Sequence, residues 1–145
     1  MSIDGVTDSE IQSILTRLKT FAVIGASPKP ERPSYGVMAF LIARGFTVKP
    51  VNPGIAGKTI LDQLVFASLA DVPPPVDVVD VFRASDAVQE IVREAIAHKD
   101  RLGIKVIWMQ LGVINEDAAS EARAAGLTVV MDRCPKIEFA RLMRG

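Results

Sequence analysis

The feature that most constrains the fold of this chain is the alternation of short apolar segments with segments of helical spacing. Between the apolar runs, residues 34–44 and 85–98 place apolar side chains on one helical face. The later runs are almost unbroken, as parallel strands covered on both faces require. The predicted strands lie at residues 21–24, 46–51, 76–82, 104–109 and 127–131.

This pattern predicts the α/β class, with a Rossmann-like doubly wound parallel sheet and helices on both faces. A short third strand is predicted at 64–66, and right-handed crossovers then favour the strand order 3-2-1-4-5-6. An amphipathic helix is predicted at about 8–19, capped by Thr7 or Asp8. The chain has 145 residues without a repeat or linker, so we expect one domain over 1–145 with its core at about 20–143.

The turn after the first strand has the composition of a phosphate site. Residues 21–35 read F-A-V-I-G-A-S-P-K-P-E-R-P-S-Y. Gly25 lets the backbone approach a bulky anion, and Ser27 and Ser34 supply hydroxyl groups. The first amides of a helix that begins near Ser34 add positive partial charge, and Lys29 and Arg32 add full charges. The turn therefore predicts binding of a phosphorylated nucleotide.

The end of the second strand disfavours NAD. An NAD site places an acidic residue there to accept hydrogen bonds from the ribose, but this chain reads V-K-P-V-N-P-G, with Asn52 at that position. Lys49 or Lys58 would instead meet a phosphate on the ribose. NADP and coenzyme A both carry such a phosphate.

Composition excludes several other classes. The net charge is zero, which argues against a nucleic-acid partner, and no apolar run approaches the roughly 20 residues of a membrane span. The acidic N-terminus does not resemble a secretory signal, and a single cysteine allows no internal disulfide, so we expect a cytoplasmic protein. No cluster has metal-ligand spacing. Neither His98, at the end of a surface helix, nor the alternating Asp77 and Asp80 predicts a catalytic group.

Six segments in order resemble the small stand-alone coenzyme A-binding domain proteins of bacteria and archaea. They are G-A-S-P-K-P-E-R-P-S-Y-G-V, V-N-P-G-I-A-G-K, S-L-A-D-V-P, V-D-V-V-D-V-F-R, W-M-Q-L-G-V-I-N-E and V-V-M-D-R-C-P-K-I-E. The resemblance covers roughly residues 12–143. This family is similar to the coenzyme A-binding domain of the succinyl-coenzyme A synthetase α subunit and of ADP-forming acyl-coenzyme A synthetases. It implies the fold predicted above and coenzyme A, or an acyl derivative, as the ligand.

The resemblance also implies which residues contact each part of coenzyme A. Lys29 and Arg32 would neutralise phosphate charge, and Phe82 and Arg83 would cover the adenine or the start of the pantetheine arm. Apart from the resemblance, we expect the turn at 110–112, with Trp108 before it, to face the pantetheine end. The pyrophosphate would lie against Gly25, Ala26, Ser27, Ser34 and Tyr35. Adenosine and its 3′-phosphate would contact Val51, Asn52, Pro53 and Lys58.

Cys134 follows the last predicted strand, in the segment D-R-C-P. The cation of Arg133 beside it would favour the thiolate, which would then attack the disulfide of oxidised coenzyme A, releasing one coenzyme A thiol and forming a mixed disulfide with the other half. A buried, inert thiol is the preferred interpretation of Cys134, and this exchange is the alternative.

The sequence therefore predicts a binding module for coenzyme A or an acyl-coenzyme A, with no catalytic residue of its own. One alternative is an enzyme, either an NADP-type oxidoreductase or the coenzyme A-binding subunit of an assembly like an acyl-coenzyme A synthetase. Another is a regulatory protein that responds to coenzyme A through an unidentified protein partner.

Overall fold

The computed structural model describes residues 3–143. Its strands are β1 Thr20–Ile24, β2 Thr47–Val51, β3 Thr59–Ile60, β4 Gln63–Leu64, β5 Val78–Val81, β6 Val106–Met109 and β7 Thr128–Val130. Its α-helices are α1 Asp8–Arg17, α2 Pro33–Ala43, α3 Val88–Ala97, α4 Lys99–Leu102, α5 Glu116–Ala124 and α6 Pro135–Leu142. None of these helices is long and apolar enough to cross a bilayer.

Five strands form one parallel sheet in the order β2-β1-β5-β6-β7. One face packs against α3 and α5, and the other packs against α1, α2 and α6. Each face buries its own apolar cluster, and Phe21 and Trp108 are among the largest fully buried side chains. The predicted α/β class, with a doubly wound parallel sheet between helices, is therefore confirmed.

The predicted third strand is where the structure differs. Residues 59–64 form a separate antiparallel pair, β3 with β4, and only Phe66 reaches the edge of β2, in a single parallel bridge with Val51. The amide of Phe66 donates to the carbonyl of Pro50, and the amide of Asn52 donates to the carbonyl of Phe66. To extend this parallel ladder toward residue 64, residue 50 would have to donate a backbone N–H to that part of the chain. Residue 50 is proline, which has no N–H. The order 3-2-1-4-5-6 thus holds for five strands, while the prediction of a sixth is wrong.

Helix boundaries follow the local signals in the sequence. Thr7 caps α1 by accepting a hydrogen bond from the amide of Glu10, and Asn115 caps α5 by accepting one from Ala118. The helix predicted at 85–98 begins with a 3₁₀ turn before α3. α1 ends two residues earlier than predicted, because the chain turns extended at Leu18 to enter β1.

Candidate functional site

A cleft of about 590 Å³ opens at the carboxyl edge of the sheet, next to the turn between β1 and α2. Open α/β sheets bind ligands beyond the carboxyl ends of their strands, where the strand order reverses, and here β1 lies between β2 and β5. Residues from four loops line the cleft: Gly25, Ala26, Ser27, Pro28, Lys29, Arg32, Pro33, Ser34, Asn52, Ile55, Phe82, Gln110, Leu111 and Val113.

Gly25 occupies a position that only glycine fits. Its φ is +87°, and a Cβ atom there would lie 2.9 Å from the carbonyl oxygen of Phe82. The amides of Gly25 and Ala26 both donate to the carbonyl of Val51, at 3.1 and 3.2 Å. The chain leaving β1 is therefore held between the ends of β2 and β5, with its backbone facing the cleft.

The predicted hydroxyl groups brace the turn from within. The Ser34 hydroxyl accepts a hydrogen bond from the amide of Ser27 at 3.1 Å, and the Ser27 hydroxyl accepts one from the amide of Lys29 at 3.2 Å. Asn52 adds a link to β2, because its Nδ2 donates to the carbonyl of Ala26 at 2.8 Å. These bonds hold the turn in a fixed shape without a ligand.

The start of α2 is electropositive. Pro33 stands at the first helical position, and the first turn contains no acidic residue, whereas each of the other five α-helices carries one there. Lys29 and Arg32 are exposed, and neither takes part in an ion pair within residues 3–143. Both cations are therefore free to meet an anion in the cleft.

The far wall of the cleft is the loop between β6 and α5, which contributes Gln110, Leu111 and Val113. The amide of Gly112 donates to Oδ1 of Asp132 at 2.7 Å. The Ser85 hydroxyl accepts a hydrogen bond from the amide of Ile114, and the Asn115 side chain donates to the Ser85 carbonyl. These hydrogen bonds link the loop between β6 and α5 to the loop after β5 and to the loop after β7.

Several predicted residues lie outside the lining of the cleft. Tyr35 packs against the apolar cluster that contains α1, α2 and α6, and Val51 is buried, so it offers only its carbonyl to the turn. Pro53, Lys58 and Arg83 are exposed near the cleft but are not among the residues that line it.

Three further residues raised by the sequence point away from the cleft. The ammonium of Lys49 donates to the carbonyls of Pro73 and Pro75, at 2.8 Å each, so it does not face a ribose phosphate. Trp108 is fully buried and its indole N–H donates to the Arg133 carbonyl, whereas Gln110 and Leu111 in the turn after it line the cleft. His98 ends α3, at the opposite edge of the sheet.

Cys134 is buried at the start of α6 and does not line the cleft. The Arg133 guanidinium is paired with Asp4 at 2.9 Å and with Glu138 at 2.8 Å, so its charge is already neutralised by carboxylates. Thiol exchange at Cys134 stays a prediction without a supporting contact in the structure.

Asp80 is a fully buried carboxyl group in β5, beside Val23 and Trp108 in the neighbouring strands. Neither carboxyl oxygen has a hydrogen-bond partner within residues 3–143. Burial raises the pKa of Asp80 well above its ordinary value, because desolvation disfavours the charged form. The folded protein therefore holds this group as the neutral acid over a wider pH range than the unfolded chain does.

Asp80→Asn is expected to remove a pH-dependent loss of stability. The pKa of Asp80 is higher in the folded state than in the unfolded chain. The free energy of unfolding is therefore highest below the unfolded pKa, where the carboxyl is neutral in both states, and it falls as pH rises from there through the folded pKa. We expect the variant to exceed the wild type in free energy of unfolding by about 2 kcal/mol at pH 7.5, and by much less at pH 4.5. Urea titrations at both pH values measure this, with Asp86→Asn at an exposed position as the control. An equal difference at the two pH values would contradict the interpretation.

Sequence reasoning did not single out Pro28, Pro33, Ile55 or Val113 as lining residues. Pro28 and Pro33 flank the cations in the turn, so the prolines of the phosphate motif were themselves the available signal. Ile55 and Val113 lie in loops that follow predicted parallel strands, so the sequence places both loops at this edge of the sheet, but the fold decides which residue of each loop lines the cleft.

Comparison with known proteins decides the family. Residues 19–140 match the family described as the CoA binding domain. The chain belongs to this family. The match begins just before β1 and ends within α6, so it includes all four loops that form the cleft.

Two proteins are similar to this chain over nearly their whole length. The uncharacterized protein YneT of Bacillus subtilis is 35% identical over 132 residues, which are 91% of this chain and 93% of that protein. The structure of a hypothetical protein from Pyrococcus horikoshii is 40% identical and superposes with a TM-score of 0.92, covering 99% of this chain and 97% of that one.

A larger protein shares the fold alone. The dinucleotide-forming acetyl-coenzyme A synthetase 1 of Ca. Korarchaeum cryptofilum is 22% identical with a TM-score of 0.67. The match covers 83% of this chain but 27% of that one, so this chain corresponds in architecture to about a quarter of the synthetase.

Proposed function

We propose that the protein binds coenzyme A or an acyl-coenzyme A in the cleft, with the pyrophosphate against the start of α2. The observation that carries this proposal is the braced turn from Gly25 to Ser34. It combines a close backbone approach, a helix start without acids and two unpaired cations, Lys29 and Arg32, at one end of a 590 Å³ cleft. Membership of the CoA binding domain family supports the choice of ligand.

The adenosine would lie at the β2 side of the cleft, beside Asn52 and Ile55. In the part of the chain that the structure describes, no acidic side chain lines the cleft there, in contrast to the carboxylate that an NAD site uses to bind the ribose. Lys58 is exposed one turn further along this loop, where its amide donates to the Ile55 carbonyl. The ammonium of Lys58 would therefore meet the 3′-phosphate that coenzyme A carries.

We infer that the chain binds its ligand without transforming it. Among the residues of 3–143 that line the cleft, the side chains that carry charge are the two cations, and none is a carboxylate, histidine or thiol. Such a lining neutralises phosphates, while its two serine hydroxyls accept hydrogen bonds within the turn and have no lining carboxylate or imidazole to activate them. Any chemistry on the acyl group would then need a partner that supplies those groups.

Calorimetric titration of the full chain with coenzyme A and NADP in parallel tests the proposal. Charge-assisted bonds from two cations plus the helix start support dissociation constants in the micromolar range, about −8 kcal/mol. We expect coenzyme A to bind at least tenfold more tightly than NADP. Tighter binding of NADP, or no heat with coenzyme A, would overturn the proposal. Native mass spectrometry of the purified protein would identify an acyl group from the mass of any coenzyme A species bound to it.

A further inference from the structure

Gln110 is a buried polar side chain in the wall of the cleft with an unused acceptor. The residue is 6% exposed, it lines the cleft, and its Oε1 has no hydrogen-bond partner within residues 3–143. Buried polar groups are almost always paired, because an unpaired one keeps the full cost of its desolvation. Because Oε1 is itself buried in the wall of the cleft, a donor on the ligand would satisfy it once the side-chain amide turns toward the cleft.

The surroundings of Gln110 hold it in place. The backbone N–H of Gln110 donates to the carbonyl of Val81 at 3.2 Å, and the backbone carbonyl of Gln110 accepts from the amide of Val113 at 2.8 Å. Val81 pairs with Met109 in the sheet, so Gln110 lies beside Phe82 as the two strands end. These backbone bonds place Gln110 at the end of β6, across the cleft from the start of α2.

The position of Gln110 selects which part of the ligand it contacts. On the proposed function, on which this inference rests, the pyrophosphate lies at α2 and the adenosine lies toward β2. The remaining arm must then leave along the ends of β5 and β6, past Phe82, Leu111 and Val113. In coenzyme A that arm is pantetheine, which has apolar methylene groups and two secondary amides that each carry one N–H.

We infer that Gln110 determines specificity for this arm, by accepting a hydrogen bond at Oε1 from an amide N–H of the pantetheine. Apolar Leu111 and Val113 flank the acceptor and suit the methylene groups between the amides. The site would thus distinguish a ligand with an amide-bearing arm from a nucleotide that ends at its pyrophosphate.

The test compares two ligands on one variant. Gln110→Met keeps the length and approximate volume of the side chain and removes the acceptor. Dissociation constants are measured by calorimetry for coenzyme A and for 3′-phosphoadenosine 5′-diphosphate, which lacks the pantetheine arm. We expect Gln110→Met to weaken coenzyme A about tenfold and to change the truncated nucleotide less than twofold. Gln12→Met, the same change at an exposed position on α1, should alter neither affinity.

The outcomes separate this inference from the proposed function. If wild-type protein binds neither ligand, the proposed function fails. If it binds both, and Gln110→Met weakens both equally or neither, then the role of Gln110 is wrong while the nucleotide site stands. Circular dichroism confirms the fold of the variant, and Gln110→Leu replaces it in the same comparison if Gln110→Met does not fold.

Discussion

Gly25→Ala is expected to destabilise the protein by about 3 kcal/mol and to weaken coenzyme A binding more than tenfold. Two costs combine at this position. A non-glycine residue at a φ of +87° costs about 1–2 kcal/mol, and the new Cβ would lie 2.9 Å from the Phe82 carbonyl oxygen. Since that oxygen belongs to backbone, relief of the contact must move the turn or the end of β5. Either movement displaces the backbone that faces the phosphates.

Gly45→Ala is the matched control for this prediction. Gly45 has nearly the same φ, +89°, but a Cβ atom there would meet nothing within 4 Å, and the residue lies at the other end of α2. It therefore reports the conformational cost alone. Urea unfolding should show the smaller loss, about 1–2 kcal/mol, in Gly45→Ala, with unchanged binding. Equal losses of stability and affinity in both variants would show that the close approach to Phe82 is unimportant.

The double variant Lys29→Ala, Arg32→Ala is expected to weaken coenzyme A binding about 100-fold with little change in stability. Each charge-assisted hydrogen bond to phosphate contributes at least about 1.5 kcal/mol, so two lost bonds give about 3 kcal/mol. Both side chains are exposed and form no ion pair within residues 3–143, so the fold loses no contact of this kind. The dependence of affinity on salt should also become shallower. Calorimetry at 50 and 300 mM salt measures both effects.

The double variant Arg17→Ala, Lys105→Ala removes the same net charge from the opposite edge of the sheet. Those two cations line a separate cavity of about 440 Å³ near the starts of β6 and β7. If binding depended only on the overall charge of the protein, the two double variants would weaken it alike. A local phosphate site predicts less than a twofold effect for Arg17→Ala, Lys105→Ala.

Local sequence signals were sufficient for most of the fold. The apolar runs located all five strands of the sheet, and Thr7 and Asn115 marked helix starts through side-chain caps that act within three residues. The prediction of a third strand at 64–66 was wrong because the formation of that strand depends on its partner, β2. Whether residues 64–66 pair with β2 is decided by the missing N–H of Pro50, more than ten residues away in sequence.

The candidate site divides in the same way. Gly25, Ser27, Lys29 and Arg32 lie within eight residues of one turn, and the structure brings all of them to the cleft. The sequence offered Lys49 as a partner for a phosphate on the ribose, but its ammonium donates to the carbonyls of Pro73 and Pro75. Those acceptors are distant in sequence, so no local pattern reveals them. Trp108 precedes the turn at 110–112 and was expected near the ligand together with it. Its indole is instead buried, and the indole N–H donates to the carbonyl of Arg133.

The sequence by itself determined the class of fold, the family and the turn after β1 whose residues line the cleft, because each depends on the order of residues within a short segment. The tertiary structure alone decided which side chains are left unsatisfied. Within residues 3–143, the Oε1 of Gln110 and both carboxyl oxygens of Asp80 are buried without a hydrogen-bond partner. The packing of strands distant in sequence decides this, because a side chain gains or lacks a partner only when all neighbouring elements are in place.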